Sequence, residues 1–154
     1  MGNLHVAIEK YKQRAISEIL ENDALVAAID PHAKSPDDLV YKNIFPFFRV
    51  PTADTETTTY LAICMDYPEV YHPENMVRRI ALKICIIVHQ DLMQTNYGAT
   101  RLDYIASRCD DIFLGSSKYG FGKLLLLSST ETSLTQFHRA RELIYVSNES
   151  QGTC

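Results

Sequence analysis

The chain has 154 residues, with 15 basic and 19 acidic side chains and a formal charge of -4. Hydrophobic residues at 46% and charged residues at 22% are ordinary for a globular protein, so neither disorder nor a fibrous repeat is indicated. The acidic balance argues against a nucleic-acid binder held by phosphate contacts, but leaves room for a wall past which DNA slides.

Leu4, Ile8, Tyr11, Ala15, Ile16 and Ile19 recur at three- and four-residue steps and predict an amphipathic helix over Leu4–Leu20. Met1–Lys10 is polar and enters that helix directly, so no signal peptide is expected, and no apolar run is long enough to span a bilayer. Asn22-Asp23 breaks and recaps the chain for a short helix, Ala24–Ile29, which Asp30-Pro31 ends. Ser35-Pro36-Asp37-Asp38 is a second helix start, with Ser35 placed to cap and Phe45-Pro46 following soon after.

Strands are predicted at Phe47–Val50 and Tyr60–Met65, joined by a Thr-rich loop, Thr52–Thr59. A further loop, Asp66–Asn75, holds Pro68, Pro73 and tyrosines. The strongest strand signal is Arg78–Val88: Ile80, Leu82, Ile84, Ile86 and Val88 share one face. Its other face turns apolar toward Cys85 and Ile87, which marks a central strand covered on both sides.

Thr100–Leu114 predicts a helix with Leu102, Ile105, Cys109, Ile112 and Phe113 on one stripe and Gly115 as its left-handed cap. Leu124–Leu127 and Leu143–Val146 read as strands flanking a Ser/Thr-rich loop, Ser128–Gln136. The order of parts gives an α+β fold: a mixed or largely antiparallel sheet, an N-terminal helix pair and one central helix. One domain is expected over residues 1–147, with 148–154 a flexible tail. Cys64, Cys85, Cys109 and Cys154 form no Cys-x-x-Cys pair and read as free thiols in a reducing compartment.

Candidate chemistry is sparse. His89 and Asp91 lie two apart at the end of the long strand and could hold a metal or relay a proton, yet His5, His32, His72 and His138 each look isolated. Thr100-x-x-Asp103 reads as a capping box rather than an acid/base pair, with Arg101 projecting from the first turn. Gly120-Phe-Gly122 lacks the spacing and following helix of a phosphate loop, so it reads as a tight turn. No Gly-x-Ser-x-Gly elbow accompanies Ser128-Ser129-Thr130-Glu131. His138, Arg139 and Arg141 form a small basic cluster read as solvated or as a salt-bridge donor. Tyr67, Tyr71 and Tyr97 fall in predicted loops, where tyrosine suits protein contacts. No cofactor or metal is expected.

The series Ile44–Arg49 (Ile-Phe-Pro-Phe-Phe-Arg), Val88-His89, Gly98–Ile105 (Gly-x-Thr-Arg-Leu-Asp-x-Ile), Gly120–Leu126 and Arg141–Val146 resembles the neck proteins of tailed bacteriophages, of tail-terminator and head–tail connector type. The resemblance covers roughly Leu4 to Val146 and rests on diffuse patterning. It implies a non-enzymatic virion subunit, assembled in the host cytoplasm, forming a ring, commonly a hexamer. That ring would cap the tail tube, join it to the head connector and leave a lumen for DNA.

Contacts between subunits or with the tube and connector are expected on the loops, at Thr52, Asp54, Glu56, Tyr67, Tyr71, Ser129 and Glu131, and at Arg101. The alternatives are a stopper (head-completion) protein of the same neck, a small metal-dependent hydrolase using His89, Asp91 and Asp103, and an intracellular interaction module.

Overall fold

A computed structural model of the chain describes residues 4–53, 56–69 and 77–150. Two helices come first: α1 (Leu4–Leu20) and α2 (Asp23–Ile29). Asn22 caps α2 by accepting a hydrogen bond from Leu25 N at 2.9 Å, the break-and-recap expected of Asn-Asp. Ser35-Pro36-Asp37-Asp38 starts only a 3-10 turn, Pro36–Leu39, and the Ser35 side chain makes no capping bond.

The strands are β1 (Ile44–Phe45), β2 (Thr59–Glu69) and β3 (Val77–His89), followed, after helix α3 (Arg101–Phe113), by β4 (Phe121–Ser133) and β5 (His138–Ser150). They form one sheet in the order β1-β2-β3-β5-β4. Only β1 and β2 run parallel; the other neighbours are antiparallel. The fold is α+β with a mixed sheet, as the order of parts predicts.

β3 is the central strand. Its register with β5 is unbroken from Val77↔Ser150 to His89↔His138. Ile80, Leu82, Ile84, Ile86 and Val88 face the helices, where they join Leu25, Ile19, Leu102, Ile105, Phe113 and Tyr145 in the main core. Cys85 and Ile87 face the other side and meet Phe45, Tyr60, Ala62 and Ala140 in a smaller second core. That accounts for the drift of the second face from polar to apolar.

Helix α3 carries the expected caps. Thr100 Oγ1 accepts from Asp103 N at 3.2 Å, and Gly115 at φ 80 turns the chain away. Gly120, at φ 78, makes the turn into β4, and Gly122, at φ 83, lies at the strand's start, where the β4–β5 register shifts.

Four boundaries differ from expectation. Phe47–Val50 is irregular; the strand here is the two-residue β1 just before it. Asp66–Glu69 extends β2 instead of opening a loop, so Tyr67 is buried in the main core. Pro68 is tolerated because the β2–β3 register shifts between Asp66 and Glu69, and β1 pairs only with Leu61 and Ala62. Ser128–Ser133 belongs to β4, leaving a short turn before His138. Ser147–Ser150 belongs to β5, so the strand runs on past the start of the expected tail.

Candidate functional site

Residues 47–53 and 56–58 form a strap against the helix-free face of the sheet. Phe48 lies over a hollow of about 180 Å³ shared with Cys85, Thr130, Leu134, Ala140 and Glu142. Glu56 fastens the strap. Its Oε1 accepts from Arg49 Nη2 and from the Tyr60 hydroxyl, each at 2.9 Å, and its Oε2 accepts from Thr52 N at 2.6 Å and Ala53 N at 3.1 Å. Burial pushes the Glu56 carboxyl up, but Arg49, the Ala53 amide, Tyr60 and the Thr52 amide together bring it down to about 2. Arg49 sits 5.2 Å from the Phe45 ring centre and 4.7 Å from that of Tyr60. Glu56 therefore shapes this loop, and its carboxylate is engaged within the fold. Thr52 stays exposed beside it. Asp54 and Tyr71 lie outside the described residues.

His138, which looked isolated in the sequence, is a neighbour of His89. His89 and His138 pair across β3 and β5, with ring centres 5.0 Å apart and perpendicular, and His89 stacks on Phe137. His89 Nδ1 accepts from Asp91 N at 3.1 Å. His138 is fully buried under the strap. Its Nε2 donates to the Glu56 carbonyl at 3.0 Å, which leaves Nδ1 to accept from the Thr135 hydroxyl at 2.7 Å. His138 thus anchors the strap to β5. Asp103 lies on the opposite face of the sheet, and no group of three or more metal-ligating side chains converges among the described residues.

On the helix face, Arg141 draws together three residues singled out in the sequence. It donates to Ser129 Oγ at 2.9 Å and reaches Glu131 at 3.2 Å and Asp103 at 3.3 Å. The return half of the capping box is replaced by this ion pair. Ser129 and Glu131 stand on the β4 arm, not on a loop. Arg101 points inward: Nε donates to Leu92 O at 2.8 Å and Nη1 to Ala28 O at 2.6 Å. Ala28 O is one of the carbonyls that the end of α2 leaves without a helical partner, so Arg101 closes that helix.

Two apolar surfaces escaped the sequence reading. Leu125, Leu126 and Leu127 are 63%, 36% and 60% exposed on edge strand β4. The β4–β5 register slips by one between Leu126 and Ser128, so Leu127 bulges without a cross-strand partner. Four consecutive leucines were the available signal, because alternate strand residues face opposite sides and an edge strand cannot bury both. The second surface is a groove of about 600 Å³ between α1 and the Val40–Pro46 segment, at the other edge of the sheet. Ile8, Ile16, Leu20, Val40, Tyr41 and Pro46 line it.

The sequence matches the YomW family over residues 14–147. The chain belongs to the YomW family. The fold of this YomW chain is similar to that of a chain in the virion of a native gene transfer agent particle. That likeness has a TM-score of 0.55 and 17% identity, over 90% of this chain and 93% of the other. At that identity it is the fold that is shared. A search of curated proteins gives no match.

Proposed function

We propose that this YomW-family chain is a structural subunit of a phage-type virion. In this reading it assembles into a homo-oligomeric ring that caps the tail tube, joins it to the head connector and leaves a lumen for DNA. The observation that carries the reading is the fold shared with a virion chain over 90% of this chain and 93% of the other. The polar residues singled out in the sequence are compatible with it: Glu56, His138, Arg101 and Arg141 all make hydrogen bonds within the fold. Catalysis has no role in this mechanism.

The action is mechanical. A rigid sheet holds out edges and loops, which contact neighbouring copies, the tube below and the connector above. A net charge of -4 repels the phosphates of passing DNA rather than trapping them. The subunit would be assembled in the host cytoplasm and retained in the virion. The test is co-incubation with the cognate tail-tube protein, followed by negative-stain imaging. Tubes of limited length, with a ring at one end, are the expected result. Tubes that grow as long with the protein as without it would overturn the terminator role.

A further inference from the structure

Resting on the ring reading, we propose that the Leu125–Leu127 rim of one subunit seats in the α1–β1 groove of a second copy. The two surfaces belong to opposite edges of the sheet, β4 and β1. Four strand spacings separate those edges, about 19 Å, so a subunit cannot fill its own groove with its own rim. A projecting apolar ridge and an apolar hollow on the same chain suit each other in shape as well as polarity.

Charge follows the same pairing. Lys123, exposed just before the leucines, has no ion-pair partner among the described residues, and Glu9 stands exposed on the groove. On the groove, the ammonium of Lys12 is turned to the Pro46 carbonyl at 2.7 Å, while the Glu9 carboxylate accepts a neutral amide from Gln13 at 3.3 Å and keeps its charge for Lys123 of the second copy. The contact places different patches of the two copies face to face. Such a heterologous contact repeats head to tail, and closes into a ring when the rotation permits.

The test uses two variants of the full chain. Leu125→Ser with Leu127→Ser removes the ridge, and Ser17→Trp, an exposed position on α1, fills the groove. Both changes are on the surface, and thermal melts identify any variant that has lost its fold; Lys123→Glu, a milder surface change, then reports on the ridge in its place. Light scattering on the wild type should give a ring. Each variant alone should raise the concentration needed for assembly by roughly tenfold or more. Mixed, the two should form a 1:1 dimer that grows no further, because one supplies the intact ridge and the other the intact groove. Rings that survive both variants would overturn this interface and leave the ring reading standing. A mixture that stays monomeric would also overturn it. A monomeric wild type at high concentration would overturn both.

Discussion

Arg49 and Glu56, seven residues apart, meet at 2.9 Å on top of the Tyr60 ring, and their pairing closes the strap over the helix-free face. The Glu56 carboxyl is lowered from 4.5 to about 2, so its stabilising contribution is complete above the ordinary carboxylate value and is lost as pH falls toward 2. Hydrogen exchange at the Thr52 and Ala53 amides should therefore accelerate between pH 4.5 and 2, after correction for intrinsic rates. Glu56→Gln should show fast exchange at neutral pH and lose most of that acid response. An unchanged acid response in Glu56→Gln would assign it to another group. Because the pair is partly exposed, the stability loss should be modest, about 1–2 kcal/mol.

Arg101 should matter for stability more than its place on a helix surface suggests. Arg101→Ala removes the donors to Ala28 O and Leu92 O and should cost about 1.5–3 kcal/mol in urea unfolding, with little change in the slope. Arg101→Lys should recover only part of this, since one ammonium cannot reproduce the spread of a guanidinium. A full rescue by lysine would contradict the two-carbonyl role.

Two leucines on strands should respond in opposite ways. Leu82, fully buried on β3, should lose about 2–5 kcal/mol when changed to Ala. Leu125→Ala, on the exposed edge of β4, should stay within about 0.5 kcal/mol of the wild type when measured on dissociated subunits. A large loss at Leu125 would mean that the ridge is core.

The thiols should report burial directly. Burial pushes Cys85 up to about 12 and Cys109 higher still. Neither should react with an aromatic disulfide reagent at pH 8 until the protein is unfolded. Mass mapping of the labelled sites checks this, and rapid labelling of Cys109 in the native protein would contradict the packing of α3.

The central architecture was legible because its residues obey one period at a time. β3 alternates cleanly, α1 and α3 carry single apolar stripes, and Thr100 and Gly115 punctuate α3 in the ways their side chains allow. The outer parts were not legible for equally physical reasons. Ser128–Ser133 is an edge arm with few apolar residues, so it shows no hydrophobic alternation even though it pairs with β5. Pro68 signalled a loop, but a register shift at an unpaired edge accommodates it. His89 and His138 are 49 residues apart in sequence, and only the β3–β5 register, which no local pattern reveals, makes them neighbours. Glu56 was picked out as a contact residue from its acidic loop, whereas three donors from its own strap and the Tyr60 hydroxyl from β2 surround it.

The mass of the purified wild-type protein tests the central claim most directly. Size-exclusion chromatography with light scattering, with native mass spectrometry for copy number, should give a discrete closed oligomer at an integer multiple of the 17.5 kDa chain. Electron microscopy of that species should show a ring. A single species at 17.5 kDa up to high concentration, with no ring formed on addition of tail-tube protein, would contradict it.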